Sequence, residues 1–460
     1  MGTADSPAKL AAFFTPDSVV LVGASAKPQS LGFTIARELM RQFQGPVHYV
    51  SATEARVLGF NTHANLNDVP PGRHLWIFAT LPRELPEALT QVGEHEPAAI
   101  LLLAEAPEKI SSAVSDAISR LRCPVIGPRS AGCYDALTGF DTLAIPTEIV
   151  SRPVAGSAGV VADNRDVAFG LLEQLSMYHC GTSHLIDLGE CLGIDESDVL
   201  SFLAKDPETR VILFGCGQIA NPSKFEAAVR GAHRARKPII ACVLPSRIND
   251  ILFLHRRTGP EVAALTDELA ARYQLLVTSS WGRAVDLALF CQKQPIPQGP
   301  GVAVISNFGA YCVNAASVLH DSQLQLAAFA AESLSTLEET LPPYCRSENP
   351  VCLYSNADEM RLDAALRVVL PDPTVHSLLL SLLPSSPFID PDYLSVMLRQ
   401  RLAASNSSKP IVAVVTAVER DNLLIQSLEQ LQIPVFSNTH RAVTTLENAF
   451  RYKSLMEPDK

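Results

Sequence analysis

Short apolar runs that suit buried parallel strands alternate along the chain with longer amphipathic stretches that suit helices. The first run ends at Gly23, and a helical pattern with apolar residues at Ala36, Leu39, Met40 and Phe43 follows it. This alternation is typical of βαβ crossover units and predicts parallel sheets. The predicted strands form three sets: 19–22, 47–50, 75–78, 99–103 and 125–126; 159–161, 183–188, 211–214, 238–243 and 275–277; 301–306, 324–329, 377–382, 410–415 and 434–436.

Two segments rich in proline, glycine and polar residues separate these sets, at 146–157 and 292–301, and they have the composition of interdomain linkers. A chain of 460 residues has the length of about three domains. We therefore predict an α/β protein with three consecutive doubly wound parallel-sheet domains. Their predicted limits are 8–145, 153–294 and 299–457.

Composition and charge narrow the functional classes. The net charge of −11 argues against bulk binding to nucleic acid or to an anionic membrane. The ten cysteines are scattered without a CxxC pair, which favours buried, reduced thiols. The histidines show no metal-ligand spacing, so no metal is predicted. Neither a signal peptide pattern nor an apolar run of about 18 residues is evident, so we expect a cytoplasmic protein.

The turn Gly23-Ala24-Ser25 is the clearest candidate binding feature. Glycine at a strand exit lets backbone N–H groups approach a ligand, and the N-terminus of the following helix favours a phosphate. The next glycine, Gly32, lies nine residues on, which is not the dinucleotide fingerprint, so the pattern indicates a nucleotide-like ligand only in general terms. A purely structural strand–turn–helix joint would also use Gly23, and this alternative stays open.

The order of segments resembles the NDP-forming acyl-CoA synthetases, relatives of the succinyl-CoA synthetase α subunit. Within that family the nearest likeness is to the synthetase-like portion of the Pat-type protein lysine acetyltransferases. Those proteins append an ATP-grasp unit and an acetyltransferase domain, for neither of which we expect room in this sequence. The resemblance covers essentially the whole chain and is carried by residues 10–25, Gly127-Pro-Arg-Ser-Ala-Gly132, Asp187-Leu-Gly189, 194–209, Lys237-Pro238 and Asn349-Pro350.

The resemblance implies a Rossmann-like CoA-binding domain followed by two flavodoxin-like domains of the succinyl-CoA synthetase type. CoA or acetyl-CoA would be a non-covalent ligand. Two candidate contacts have a plain structural alternative: Lys27 as a solvated loop lysine and Arg56 as an ordinary residue of a helix surface. The full set of candidate CoA contacts is Gly23, Ala24, Ser25, Lys27, Gly32, Arg56, Ala79, Thr80, Gly127 and Pro128.

The family's chemistry depends on a Ser-His-Thr-Gly motif whose histidine relays a phosphoryl group, a role that suits the nucleophilic imidazole. Here the spacing from Ser246 places Arg257 at the histidine position. A guanidinium stays protonated and cannot act as that nucleophile. His255 is offset by two residues and is not expected to replace the histidine, and Gly217 stands where the family has a supporting glutamate.

Two phosphate-binding turns of the family are altered as well. One corresponds to Ala162-Asp-Asn-Arg165, where an aspartate would repel a phosphate unless Arg165 folded over it. The other reads Asn307-Phe-Gly-Ala-Tyr-Cys312, in which Phe308 and Tyr311 should narrow any anion pocket. Because these changes fall at separate sites, we predict no catalytic residue and a lost phosphoryl relay.

The sequence thus favours a CoA- or acyl-CoA-binding protein that is derived from a synthetase, lacks ligase activity alone and acts as a regulatory or sensing partner. One alternative is an α-type subunit of an ADP-forming acetate/acyl-CoA ligase that works with a separate ATP-grasp subunit. Another is a structural scaffold with a filled crevice. The partner expected in each functional case is an ATP-grasp subunit or a second copy of the chain.

Overall fold

The computed structural model describes residues 10–103, 111–217, 219–243, 258–278, 280–405, 407–416 and 422–456. Contacts divide the chain into two compact units, Met1–Ala288 and Leu289–Lys460. We call them the first and the second unit. Within the described ranges, no helix is both long enough and apolar enough to cross a membrane.

The first sheet of the first unit has seven strands in the order β3-β4-β2-β1-β5-β6-β7. Among its described strand pairs, β3–β4 alone is antiparallel. The elements are β1 (Val19–Val22), α1 (Leu31–Gln42), β2 (Val47–Val50), β3 (Arg56–Val57), β4 (Phe60–His63), β5 (Leu75–Phe78), α2 (Leu85–Gly93), β6 (Ala99–Leu102), α3 (Ser112–Arg120) and β7 (Val125–Ile126).

Strand β1 lies between β2 and β5, so the strand order reverses at its carboxyl end. Open α/β sheets bind ligands at such a switch point. The four residues of β5 are completely buried, as expected for a strand that helices cover on both faces. The sheet therefore presents one crevice, at the ends of β1 and β5, with the Gly23 turn beside it.

The second sheet of the first unit has six strands in the order β13-β12-β11-β9-β10-β8. Its edge strand β8 pairs antiparallel with β10, and the central strand β9 lies between β11 and β10. The elements are β8 (Gly132–Asp135), β9 (Ala155–Ala162), α4 (Arg165–Met177), β10 (Thr182–Asp187), α5 (Glu196–Lys205), β11 (Val211–Cys216), α6 (Pro222–Arg234), β12 (Ile239–Val243), α7 (Thr258–Ala271), β13 (Leu276–Thr278) and α8 (Trp281–Lys293), which ends in the second unit.

The second unit contains a parallel sheet in the order β15-β14-β17-β18-β19, with β16 paired to β14. Its elements are β14 (Gly301–Ser306), α9 (Gly309–His320), β15 (Gln325–Leu326), α10 (Ala331–Thr340), β16 (Val351–Cys352), α11 (Glu359–Val369), β17 (Ser377–Leu382), α12 (Pro391–Ser405), β18 (Ile411–Val415), α13 (Leu423–Gln430), β19 (Val435–Phe436) and α14 (Thr439–Met456).

The predicted α/β class with three mainly parallel sheets is confirmed. The apolar runs formed strands close to their predicted limits, whereas β3, β4, β8 and β16 were not predicted. Strand β8 lies inside the predicted first domain, residues 8–145, yet it belongs to the second sheet. The domain limits therefore stay a prediction, and one apolar core runs through both sheets of the first unit.

Candidate functional site

The turn after β1 is closed by its own neighbours. The backbone N–H groups of Gly23 and Ala24 both donate to the carbonyl of Val50, at 3.0 and 3.1 Å. Gly23 has φ +85°, and a Cβ at this position would lie 2.7 Å from the carbonyl oxygen of Ala79. Glycine is thus required here for packing against the end of β5, which gives the purely structural interpretation of Gly23 a geometric basis.

Helix α1 starts directly over this turn. The Ser30 hydroxyl caps the helix by accepting a hydrogen bond from the N–H of Phe33 at 3.2 Å. A Cβ at Gly32 would lie 2.0 Å from the carbonyl oxygen of Gly23, so only glycine allows this approach. Gly23 and Gly32 therefore pack directly against each other, and this contact brings the N-terminus of α1 to the crevice.

A carboxylate that sequence reasoning missed occupies this turn. Glu54, in the loop after β2, accepts a hydrogen bond from the Ser25 hydroxyl at 3.1 Å and another from the N–H of Ala26. The side chain of Glu54 is half-buried. An acidic residue in the loop after the second strand was the available signal, because that loop borders the crevice of a doubly wound sheet.

The other candidate contacts of the first sheet have varied surroundings. Lys27 is exposed, and its backbone N–H donates to the Ser25 hydroxyl at 3.1 Å. Arg56 lies on strand β3 and donates to Asn61 at 3.0 Å, so the alternative of a helix-surface residue is wrong. Thr80 is half-buried at the end of β5, next to Gly23. Contact of any of these residues with CoA stays a prediction.

The turn that begins at Gly127 faces the second sheet. The N–H of Gly127 donates to the carbonyl of Leu188 at 3.1 Å, and the carbonyl of Pro128 accepts from the N–H of Glu190 at 2.9 Å. Arg129 adds an ion pair to the same Glu190 at 2.7 Å. Gly127 and Pro128 thus connect the two sheets of the first unit, a role that sequence reasoning did not assign to them.

The second sheet brings three strand ends together, with Asp163 after β9, Asp187 at the end of β10 and Gly217 after β11. The N–H of Gly217 donates to the Asp163 carboxylate at 2.8 Å, and the N–H of Asp163 donates to the carbonyl of Gly215 at 3.1 Å. The carboxylate of Asp163 thus accepts the hydrogen bond of the backbone N–H at Gly217. By the family resemblance, Gly217 stands where the family has a supporting glutamate.

Asp187 is completely buried beside this turn. Its carboxylate accepts a hydrogen bond from the N–H of Ala131, and its carbonyl accepts one from the Ser130 hydroxyl. Burial raises the pKa of Asp187 to about 7; the neighbouring Asp163 adds to the rise, while the Ala131 hydrogen bond and the Arg165 charge oppose it. The carboxylate of Asp163 at this turn disfavours a bound phosphate.

Arg165 reaches the first sheet. Its guanidinium donates to the carbonyl of Leu103 at 3.3 Å and to the carbonyl of Ser130 at 3.2 Å. Burial lowers the pKa of this guanidinium, and the charges of Asp187 and Asp166 oppose that shift. Arg165 therefore helps to hold the turn between the sheets.

In the second unit, bulky side chains line the turn after β14. The rings of Phe308 and Tyr311 meet edge to face with centroids 5.3 Å apart. The Tyr311 hydroxyl lies 2.5 Å from the Thr416 hydroxyl, at the end of β18. Asn307 is buried and accepts a hydrogen bond from the N–H of Leu383 at 2.8 Å. Phe308 is exposed, so the expected narrowing of an anion pocket at this turn stays a prediction.

Arg257 and His255 lie outside the described residues, so the assignment of Arg257 to the relay position rests on sequence spacing alone. Across the described ranges, no three His, Cys, Asp or Glu side chains are grouped so that they could hold a metal ion.

Comparisons with known proteins match both parts of the first unit. A family model for a CoA binding domain matches residues 17–135, and one for a succinyl-CoA ligase like flavodoxin domain matches residues 155–287. The α subunit of the ADP-forming acetate–CoA ligase I of Pyrococcus furiosus is 24% identical over 458 residues, which cover 96% of this chain and 97% of that subunit.

Longer relatives and solved structures extend the likeness. The ADP-forming 4-hydroxybutyrate–CoA ligase of Nitrosopumilus maritimus is 22% identical, and the alignment covers 97% of this chain but 64% of that protein. The acetyl-coenzyme A synthetase 1 of Ca. Korarchaeum cryptofilum, solved in complex with phosphate and ADP, superposes with a TM-score of 0.82 at 19% identity over 97% of each chain. At this identity, the structural likeness shows the fold.

Proposed function

Because this chain belongs to the family of NDP-forming acyl-CoA synthetases, we propose that it binds CoA or an acyl-CoA in the crevice of its first sheet and has no ligase activity alone. It acts as a regulatory or sensing partner. We also propose that, within this family, the chain is most similar to the synthetase-like portion of the Pat-type protein lysine acetyltransferases. The match of a CoA binding domain to residues 17–135 supports the ligand class, and acetyl-CoA is the acyl-CoA that we would test first.

The proposed lack of ligase activity rests on the hydrogen bond between the N–H of Gly217 and the carboxylate of Asp163, at 2.8 Å. A phosphoryl group that entered this crevice would meet the carboxylate of Asp163 on the backbone donor. Repulsion between this carboxylate and the phosphoryl group would raise the energy of a phosphorylated intermediate. The sequence adds Arg257 at the relay position, where a guanidinium cannot form a phosphoramidate.

A second candidate function is the α-type subunit of an ADP-forming acyl-CoA ligase that works with a separate ATP-grasp subunit. The similarity to two α subunits of Pyrococcus furiosus ligases, over 97% and 93% of their lengths, supports it. In this case the loss of the relay histidine would have to be compensated by another nucleophile, for which His255 is the nearest residue in the sequence.

Two measurements on the purified full chain test these functions. Calorimetry with CoA, acetyl-CoA and ATP in turn should show binding of the CoA species. Incubation with acetyl-CoA, ADP and labelled inorganic phosphate should leave the protein unlabelled. Acid-labile, base-stable label on the protein would overturn the proposal and support the ligase subunit. Absence of CoA and acetyl-CoA binding would overturn it in favour of the scaffold alternative.

A further inference from the structure

The loop after β2 places a carboxylate on the candidate phosphate turn. One carboxylate oxygen of Glu54 accepts from the Ser25 hydroxyl at 3.1 Å, and the other accepts from the N–H of Ala26. The Ser25 hydroxyl also accepts from the N–H of Lys27 at 3.1 Å, so it joins the carboxylate to the backbone of the turn. Two oxygens of a ligand phosphate would take the same two donors.

The backbone of Glu54 is held by hydrogen bonds to β4, while its side chain is partly exposed. The Thr62 hydroxyl donates to the carbonyl of Glu54, and the N–H of Thr62 donates to the carbonyl of Ala55 at 3.2 Å. Thr62 belongs to β4, which pairs with β2 through Tyr49. Because the Glu54 side chain is only half-buried, a change of rotamer can carry the carboxylate into solvent without moving the loop.

Among the described residues, no lysine or arginine forms an ion pair with Glu54, and its partners are a hydroxyl and a backbone amide. An incoming phosphate would therefore meet a negative charge at contact distance and would have to displace it.

We propose that Glu54 sets the ligand affinity of this crevice, as an internal anion that competes with the ligand phosphate for Ser25 and Ala26. The inference rests on the proposed CoA site. CoA binds only when Glu54 has rotated into solvent, so the carboxylate lowers the affinity of the site for any phosphate-bearing ligand. We assign the pyrophosphate of CoA as the competing group, because the contested donors lie in the turn before the N-terminus of α1, which favours a phosphate.

Calorimetric titration of the full chain with CoA and with 3′-dephospho-CoA tests this inference. The variants are Glu54→Gln, which keeps the shape of the side chain, and Glu54→Ala, which removes it. The control is Glu94→Gln, which removes one exposed negative charge where α2 ends. We expect both Glu54 variants to bind each ligand about tenfold tighter than the natural protein, and the control to bind unchanged.

The outcomes separate the inference from the function on which it rests. Equal or weaker CoA binding by both Glu54 variants would overturn the inference while leaving the CoA site intact, and weaker binding would mark the carboxylate as a ligand contact. A gain confined to CoA would also overturn it, because the competition would then involve the 3′-phosphate. Binding by the Glu54 variants but not by the natural protein would support the competition and would contradict CoA binding by the natural chain. No binding by any protein would refute the CoA site itself.

Discussion

Replacement of Asp187 by asparagine should remove a pH-dependent loss of folding stability from the first unit. Asp187 is fully buried at the end of β10 and accepts a hydrogen bond from the N–H of Ala131. Burial raises the pKa of its carboxyl to about 7. Asparagine has nearly the same shape and keeps an oxygen acceptor for Ala131, but it carries no charge that burial would penalise.

The magnitude follows from the two pKa values of Asp187. The carboxyl titrates near 3.8 in the unfolded chain and near 7 in the folded protein. Between these values the folded state binds more protons, so this contribution to stability is fully present below the unfolded pKa and is lost as pH rises through the folded pKa. The full difference amounts to about 4 kcal/mol, and the part between pH 5 and pH 8 to about 2.5 kcal/mol.

Urea unfolding at several pH values measures this effect. Both tryptophans, Trp76 and Trp281, lie in the first unit, so their fluorescence reports its unfolding. The free energy of unfolding of Asp187→Asn relative to the natural protein should rise by about 2.5 kcal/mol from pH 5 to pH 8. Asp116→Asn, an exposed change on α3, should give a flat difference. A flat difference for Asp187→Asn as well would refute the reasoning, since the folded carboxyl would then be ionised throughout.

Three further predictions concern the buried ion pair of Arg152 with Asp141, the group of His48, His63 and His74, and the association of the chain with a partner or a second copy. Arg152→Met should destabilise the first unit by about 3–5 kcal/mol in the same urea assay, because it leaves the buried Asp141 without the partner 2.6 Å away; Arg230→Met, at an exposed pair, should cost under about 1 kcal/mol. Burial and two neighbouring histidines lower the pKa of His48, so stability should be lost as pH falls below 6.5; His48→Gln should flatten that loss in thermal unfolding, and an unchanged slope would contradict it. Exposed aromatic side chains within 344–393 suit a surface for a second copy or a partner. Light scattering at micromolar concentration should therefore give a mass above that of one chain, or a pull-down should recover a partner. A monomeric mass together with no recovered partner would contradict this.

The strands that could be predicted are those whose sequence alone implies burial. Leu75–Phe78 is a continuous apolar run, and a run buried on both faces is what a central parallel strand requires. Gly132–Asp135 has no such signal, because it contains glycine and aspartate and becomes a strand by pairing with β10 of the following sheet. Arg56–Val57 and Phe60–His63 are short and partly exposed. Tertiary pairing, which the local pattern does not encode, decides these cases.

The position of the candidate site could be predicted better than its contacts. Parallel strands end at one edge of a sheet, so the turn at Gly23 could be assigned to a crevice from the strand pattern. The turn at Asp163 was identified through the family resemblance. The partners of the side chains could not be predicted. Asp163 was expected to repel a phosphate, but the sequence contains no signal that its carboxylate binds the N–H of Gly217. Glu54 was missed because its contact with Ala26 depends on how the loop after β2 folds.

These two carboxylates share one physical consequence. Backbone donors at strand ends and helix starts need an acceptor, and in ligand-binding sheets a phosphate supplies it. Here Glu54 binds the N–H of Ala26, and Asp163 binds the N–H of Gly217. The chain therefore satisfies these donors from its own sequence, and a phosphate at either turn would have to displace a carboxylate from its hydrogen bond. Such a displacement lowers the affinity for an added anion. The same physical cause therefore underlies the weaker phosphate binding that we propose for the first sheet and the lost phosphoryl relay that we propose for the second.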